Sequence, residues 1–157
     1  MTKNKTIAAW LSFVAGPLGL HRFYLKGFGD PLGWMLPVPT LLGLYGIARA
    51  RALGLDDGLS WVLIPFLGFT IAGCCLMAIV YGLMEPDAWN AKFNAAGSSS
   101  SRAPSAAPRN PGRTNWLTIA ALVGSLMIGS TALIASVAYS FQSFFQYQVE
   151  ESRKLSQ

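Results

Sequence analysis

The sequence predicts an all-α, polytopic integral membrane protein with about four transmembrane helices: an N-terminal helical hairpin, a third helix, and a last helix after a flexible linker. Of the 157 residues, 52% are hydrophobic and only 12% are charged, which is too apolar for a soluble domain of this size. Long uncharged runs divide the chain, and aromatic residues stand near their ends. The net charge of +5 is scattered in ones and twos between these runs, so it indicates membrane-flanking charge rather than a nucleic-acid surface.

Two apolar runs are long enough to cross a bilayer. Leu59 to Met84 and Trp116 to Phe141 each contain 26 residues without a charged side chain, and a helix needs only about 20 residues to cross the hydrocarbon. Two shorter runs complete the predicted four. Thr6 to Leu20 has 15 residues and Pro31 to Ala48 has 18. The first run is about 22 Å long as a helix, so it spans only if His21 to Leu25 continues it.

Aromatic and capping residues mark the ends of these runs. Trp and Tyr prefer the headgroup level of a bilayer, and each run carries one near either end: Trp10, Trp34, Trp61 and Trp116 near the beginnings, and Tyr24, Tyr45, Tyr81 and Tyr139 near the ends. Asp30, Asp56-Asp57 and Asn115 stand just before the second, third and fourth runs. A side-chain oxygen at that position can accept from the free N–H groups of a helix. We therefore expect these residues to be N-caps.

The chain divides into four predicted segments. Residues 1–50 form the hairpin, 51–94 the third helix with an interfacial flank, 95–115 a disordered linker, and 116–157 the last helix with its polar tail. The flank contains Trp89 and Phe93. The linker is rich in Ser, Ala and Pro and has no aromatic or acidic residue, so it cannot bury enough apolar surface to fold. We expect its arginines to be solvated, with contact to anionic lipid as the alternative.

The distribution of cations does not orient a four-helix chain. The N-terminus, the second loop and the C-terminal tail together carry six Lys and Arg, and the first and third loops also carry six. The positive-inside rule compares these two sums. It therefore favours neither orientation.

The fourth run carries small residues along one helix face. They recur at spacings of four, four, three, four and four: Ala121, Ser125, Gly129, Ala132, Ser136 and Ser140. Small residues let helix backbones approach closely, and this packing is a main source of helix association in lipid. The face predicts either packing inside the same chain or self-association, and the sequence favours neither.

The only histidine of the chain stands beside an arginine at the end of the first apolar run. The segment "GPLGLHRFYLKG", residues 16 to 27, places His21 and Arg22 between two glycines and an aromatic pair. A short first span brings Arg22 to headgroup depth, where it can reach lipid phosphate or helix carbonyls at a modest desolvation cost. We interpret the segment as a membrane boundary and a tight turn into the second helix.

Residues 3 to 48 resemble the bacterial two-transmembrane (TM-two) domain family, often called NINE-type proteins. That family carries a Gly-rich helix end, then His-Arg-Phe-Tyr or Asp-Arg-Phe-Tyr, then a second helix. The matching positions are Gly16, Gly19, His21, Arg22, Phe23, Tyr24 and Gly27. Lys26 stands where the family usually has Gly, and the second helix ends in Gly46-Ile47-Ala48-Arg49 rather than in the aromatic-then-Asp ending of the family.

The resemblance also carries expectations about location and function. It implies a protein of the bacterial inner membrane without a settled activity, whose relatives are linked to signalling and membrane-protein interactions. The loop that contains Arg22 is expected to face the cytoplasm. In a four-helix chain this orientation places the N-terminus outside.

The chemistry of an enzyme is not predicted. An intramembrane enzyme needs a nucleophile with a base, or a metal cluster, and the chain has one His and no carboxylate inside the runs. Cys74 and Cys75 are neighbours, so their side chains diverge by about 100° on a helix and do not form a metal site. We therefore expect no cofactor and no metal.

The remaining function classes are a transporter and an interaction protein. Pro37, Pro39 and Pro65 lie inside the runs and can free carbonyls to line a cavity, which makes a small transporter or channel the alternative. The runs contain no Asp, Glu or Lys, the usual marks of ion coupling. We predict a non-enzymatic interaction or scaffold protein. Its expected partners are the lipid bilayer and, through the last helix, a membrane protein or a second copy; nucleic acid is not expected.

Overall fold

The computed structural model describes residues 2–54, 57–95 and 112–156. These residues form helices and contain no strand, in agreement with the predicted all-α class. The elements are α1 (Lys5–Ala15), a 3₁₀ turn (Gly16–Leu18), α2 (Leu20–Lys26), α3 (Pro31–Met35), α4 (Pro37–Leu53), α5 (Gly58–Leu83), α6 (Pro86–Phe93) and α7 (Trp116–Leu155).

Three helical segments are long and apolar enough to cross a membrane. They are α3 with α4 (Pro31–Leu53), α5 (Gly58–Leu83) and α7 (Trp116–Leu155). Large apolar side chains cover their outer surfaces, and Phe69 and Ile134 are 61% and 68% exposed. Soluble monomers rarely expose apolar surface on this scale, so the outer surface faces lipid. The chain is a membrane protein.

The prediction of four spans is not confirmed. The first apolar run forms only the 11 residues of α1 before the 3₁₀ turn, a length of about 17 Å. α2 then runs back beside α1: the backbone N–H of Asn4 donates to the Tyr24 hydroxyl at 2.8 Å, and Lys3 Nζ donates to the Leu25 carbonyl. Both open ends of this α1–α2 hairpin lie at the same end of the bundle. We call this hairpin re-entrant because it returns to the end of the bundle at which it begins, whereas the sequence predicted a pair of spanning helices.

The α1–α2 hairpin reaches about a third of the way along α5. At its open end, Lys5 Nζ donates to the carbonyl of Met84 at 2.6 Å. At its turn, Ser12 Oγ donates to the Cys74 carbonyl at 2.8 Å, and Cys74 lies about 14 Å from the end of α5 at 1.5 Å per residue. We call the end of the bundle with Lys3, Lys5 and Met84 the first end. The second end holds the loop between α4 and α5.

α5 is the central helix of the bundle. α7 packs along it, α4 packs on its N-terminal half, and α1 packs on its C-terminal half. Glycine permits the close approach of α4, because a Cβ at Gly46 would lie 2.7 Å from Leu63 Cβ and a Cβ at Gly43 would overlap Leu67. Such close packing supplies attraction where lipid removes the hydrophobic force between helices.

The break between α3 and α4 is closed by a hydroxyl group. Leu36 separates the two helices because Pro37 begins α4, a position that tolerates the missing N–H. Thr40 Oγ1 lies 3.1 Å from the Leu36 carbonyl oxygen and 2.9 Å from that of Pro17. The hydroxyl therefore donates to carbonyls at the break and in the 3₁₀ turn. The sequence alone suggested that carbonyls near this break line a cavity.

A second hydroxyl compensates for the proline inside α5. Pro65 has no N–H for the carbonyl of Trp61, four residues earlier. Ser140 Oγ of α7 donates to this carbonyl at 2.6 Å. The serine supplies the donor that α5 lacks, and it connects α7 to α5 near the second end.

The predicted N-caps are present only in part. Asn115 forms a capping box with Thr118, whose hydroxyl accepts from the Asn115 N–H at 3.4 Å. Asp30 and Asp57 occupy the N-cap positions of α3 and α5, but neither makes a capping hydrogen bond of good geometry; each has an arginine as its main partner. Asp56 lies outside the described residues.

α6, the predicted interfacial flank, packs against the hairpin. Trp89 is fully buried in a cluster with Ala8 and Leu25, and its Nε1 donates to the Lys3 carbonyl at 3.0 Å. Residues 96–111, most of the predicted linker with Arg102 and Arg109, lie outside the described residues.

Replacing Ser140 with alanine is expected to destabilise the bundle by about 1 kcal/mol, because the Trp61 carbonyl loses its donor. In a Pro65→Ala background the new amide supplies that donor, so Ser140→Ala should cost less there. Unfolding by SDS titration in detergent gives the free energies. Ser130→Ala is the control, since its exposed hydroxyl donates only within α7. Equal losses in both backgrounds would contradict the coupling.

Candidate functional site

Two glycines form the turn of the α1–α2 hairpin. Gly19 has a φ of +76°, a left-handed conformation that favours glycine, and its N–H donates to the Gly16 carbonyl at 2.8 Å. A Cβ at Gly19 would overlap the carbonyl oxygen of Gly33 in α3, and a Cβ at Gly16 would come within 2.5 Å of Cys74 Cβ in α5. The turn fits between α3 and α5 only because both residues lack a side chain.

His21 is buried between α2 and α5. The residue is only 1% exposed, and its ring lies 6.2 Å from the Tyr81 ring between centroids. Its Nδ1 has no hydrogen-bond partner among the described residues. Burial lowers the pKa of His21 to about 4, and the neighbouring Arg22 charge acts in the same direction. At neutral pH the imidazole is therefore uncharged, and its contacts are those of a packing group.

Arg22 forms an ion pair that closes the loop between α2 and α3. Its Nε lies 2.6 Å from Asp30 Oδ2, and both side chains are mostly buried. The hydrogen bond from Arg22 holds the pKa of Asp30 below its ordinary value of 3.8, although burial acts the other way. Arg22 thus binds an internal carboxylate through Nε, where the sequence predicted lipid phosphate or helix carbonyls.

The same arrangement recurs at the second end of the bundle. Arg49 donates from Nε and Nη2 to Asp57 at 2.9 and 2.7 Å. In both pairs the arginine precedes a glycine by five residues and the aspartate by eight, and the two glycines, Gly27 and Gly54, have φ values of +85° and +78°. We call this R-x4-G-x2-D arrangement the arginine clasp. Each clasp joins the end of one helix to the start of the next.

The clasps were missed in the sequence because each aspartate also stands where an N-cap is expected. The hydrogen bond from Arg49, helped by the Ser60 hydroxyl, holds the pKa of Asp57 far below its ordinary value. The repeated spacing of Arg, Gly and Asp was the signal available. The acidic partner of Arg22 is therefore Asp30, which follows Gly27 in the loop. It is not a residue at the end of the second helix.

Phe23 and Tyr24 connect α2 to different neighbours. The Phe23 ring lies 5.3 Å from the Phe28 ring and 5.2 Å from the Trp34 ring between centroids, so it joins α2 to α3. The Tyr24 hydroxyl accepts from the N–H of Asn4, so it joins α2 to the segment before α1. Both predicted anchors therefore also make contacts within the protein.

The predicted small-residue face of α7 lies against α5. Its residues are Ala121, Ser125, Gly129, Ala132 and Ser136. A Cβ at Gly129 would come 2.7 Å from Cys75 Cβ, and a Cβ at Gly68 would overlap Ser136. Of the two uses that the sequence allowed for this face, the described contacts are those of packing inside the chain. Self-association through it would require α7 to separate from α5.

The motif residues have structural contacts in the described part of the chain. In the described ranges, no three His, Cys, Asp or Glu side chains gather closely enough to hold a metal ion. Cys74 and Cys75 are buried thiols that contact glycines of the hairpin and of α7. The motif instead shapes a turn, an ion pair and an aromatic contact, and these fix the α1–α2 hairpin on α3 and α5.

The family model for the TM2 domain matches residues 1–48. The match covers the α1–α2 hairpin, α3, most of α4 and both residues of the first clasp. It supports the resemblance to the TM-two family over less than a third of the chain. No curated protein and no solved structure matches the chain.

Gly19→Ala and Gly27→Ala are expected to differ in cost. Both glycines have positive φ, but a Cβ at Gly27 meets no atom within 4 Å. Gly27 has a ψ of 175°, in a region essentially restricted to glycine, so Gly27→Ala should cost about 1–3 kcal/mol from backbone strain alone. Gly19→Ala should cost clearly more, because α3 must also move away from the turn. The two variants are compared by SDS unfolding, and equal losses would show that the contact with Gly33 is unimportant.

Asp30→Asn is expected to lower the melting temperature in detergent at neutral pH, because Arg22 loses its charged partner. The pKa of Asp30 is lower in the folded protein, so the pair contributes stability above pH 3.8 and loses it as the pH falls further. The difference from wild type should be constant at neutral and mildly acidic pH and shrink below 3.8. Asp87→Asn, an exposed site on α6, is the control.

Adding Arg22→Leu to Asp30→Asn should change the melting temperature little further, since the pair is already broken. A full second loss on adding Arg22→Leu would mean that the two residues act independently. A difference between wild type and Asp30→Asn that persists at low pH would also contradict the ion pair.

Proposed function

We propose that this protein is a small non-enzymatic membrane protein of the NINE type that acts as an interaction or scaffold protein. The observation that carries the proposal is the end of α7. Every residue from 144 to 156 is exposed, and the last buried residue of α7 is Ser143. Residues 144–155, which we call the α7 arm, are about 18 Å of helix that the other described residues contact only at its base. A membrane partner, or a second copy, has this surface available.

The composition of the α7 arm fits a protein contact. Phe145 and Val149 stand one helical turn apart and are 62% and 50% exposed, so they form an apolar strip. Charged residues accompany it: Glu150, Glu151, Arg153 and Lys154. The base of the arm is held by Trp61 of α5, whose ring lies 5.5 Å from the Tyr147 ring between centroids. An amphipathic helix of this kind binds apolar grooves through residues at helical spacing.

The contacts inside the bundle favour interaction over transport. The Trp61 carbonyl, which Pro65 leaves without its backbone donor, accepts from Ser140 of α7, so it is engaged in helix packing. A transport path would instead use such carbonyls to coordinate its substrate. The apolar runs Pro31 to Ala48, Leu59 to Met84 and Trp116 to Phe141 also lack the acidic and lysine side chains used for ion coupling.

We propose further that the protein crosses the bacterial inner membrane several times with its first end in the cytoplasm. The re-entrant hairpin changes the count of cations. Among the described residues six lie at the first end (Lys3, Lys5, Arg22, Lys26, Lys92 and Arg113) and four at the second (Arg49, Arg51, Arg153 and Lys154). The positive-inside rule then favours a cytoplasmic first end. The N-terminus accompanies Arg22 to this side, in contrast to the outside N-terminus inferred for four helices.

Capture of the tagged full-length protein in native-lipid discs, followed by mass spectrometry, tests the interaction proposal. A chain that ends at Gln148 keeps the contact between Tyr147 and Trp61 and removes the rest of the arm. We expect a partner that copurifies with wild type and is lost from the shortened chain. Ile134→Ala, on the lipid-facing side of α7, is the control and should retain it.

A cysteine introduced at Lys92 should resist impermeant maleimide in intact cells if the first end is cytoplasmic.

Two results would contradict the interaction proposal. One is a partner that the shortened chain retains in full. The other is recovery of only lipid and a monomer of the protein from wild type. Flux measurements in liposomes would then test the transporter alternative.

A further inference from the structure

A cleft of about 620 Å³ opens at the first end of the bundle, between the N-terminal segment and the end of α2. It is lined by Thr2, Lys3, Phe23, Tyr24, Lys26 and Gly27. Two of these residues are lysines and none is acidic. The carboxylate of Asp30, which follows in the loop, is bound by Arg22. The cleft therefore presents positive charge without an acidic group in its lining.

The N-terminal wall of the cleft is held in place by its backbone. The N–H of Lys3 donates to Asn94 Oδ1 at 2.7 Å, and the carbonyl of Lys3 accepts from Trp89 Nε1 at 3.0 Å. Trp89 is fully buried, so this attachment reaches the core under α6. Lys3 is consequently a fixed part of the cleft, although it stands near the start of the chain.

Three side chains of the cleft can donate to an anion. The Lys3 ammonium donates one N–H to the Leu25 carbonyl and has two more, since an ammonium carries three. The Tyr24 hydroxyl accepts from the N–H of Asn4, so its own proton is available. Lys26 is exposed at the end of α2. Lysine and hydroxyl donors of this kind bind phosphate oxygens with charge-assisted hydrogen bonds.

The position of the cleft indicates a lipid phosphate. It lies at the open end of the α1–α2 hairpin, beside the loop that leads into the first span, and this is headgroup depth for a spanning bundle. The ring of Phe23 supplies an apolar wall, and the space around Gly27 is open, since a Cβ there would meet no atom within 4 Å. Basic pockets at the ends of transmembrane helices bind anionic headgroups.

We propose that this cleft binds the phosphate of an anionic phospholipid, with Lys3 and Lys26 as the charged contacts and Tyr24 as the hydroxyl donor. The lipid would join the N-terminal segment to the end of α2 across the open end of the hairpin. The cleft lies at the first end of the bundle and the α7 arm at the second end, so the test of the cleft is independent of the proposed function.

Native mass spectrometry of the full-length protein released from lipid discs tests the site. The discs contain phosphatidylcholine with a minor fraction of phosphatidylglycerol, and the phosphatidylglycerol retained per chain is counted. Lys26→Gln is expected to lower its affinity about fivefold, the effect of one lysine charge near a membrane surface. Lys92→Gln, an exposed lysine at the same end, is the matched control and should leave retention unchanged. Tyr24→Phe should lower it by a smaller factor.

Equal retention by wild type and Lys26→Gln would overturn the proposal. Equal losses from Lys26→Gln and Lys92→Gln would also overturn it, because they indicate general attraction to the surface. A further arm adds inorganic phosphate to discs of phosphatidylcholine alone. Phosphate binding that Lys26→Gln removes, without enrichment of phosphatidylglycerol in the mixed discs, would assign the cleft to a soluble phosphate and overturn the lipid assignment.

Discussion

Close backbone packing against α5 is the constraint on which the rest of the structure depends. The outer surface of the bundle is as apolar as the lipid around it, so burial of apolar area adds little attraction between its helices. What remains is short-range contact, and this requires small residues where helices meet. Gly46 brings α4 to α5, Gly129 brings α7, and Gly16 brings the turn of the hairpin. The residues that hold the bundle together are therefore the smallest ones, whereas the large apolar residues mostly face lipid.

The second requirement of a lipid environment is a partner for each backbone carbonyl. Proline creates the difficulty here and hydroxyl groups resolve it. Ser140 donates to the carbonyl left by Pro65, and Thr40 donates beside the break at Pro37. Ser12 donates likewise to the Cys74 carbonyl from the hairpin. These hydroxyl groups inside the spans accordingly take part in helix packing.

The arginine clasps and the re-entrant hairpin together decide what the protein presents at its two ends. At the first end, the clasp engages Arg22 and Asp30 with each other, and Lys3 and Lys26 line a cleft beside it. At the second end, the clasp between Arg49 and Asp57 closes the short loop, and only the α7 arm extends beyond it. One end thus offers a cleft with two lysines. The other offers an exposed helix.

Local properties of the chain were readable without coordinates. Segment length, hydropathy and spacing predict the apolar runs of α5 and α7, the helical class and the small-residue face of α7. Each of these depends on neighbouring residues alone. The TM-two resemblance likewise followed from a contiguous motif around Arg22. The direction of α2, the partner of the small-residue face and the carboxylate bound by Arg22 depended on distant residues meeting in space. The re-entrant turn exists because Gly16 and Gly19 fit against Cys74 and Gly33, and no local pattern contains that fit.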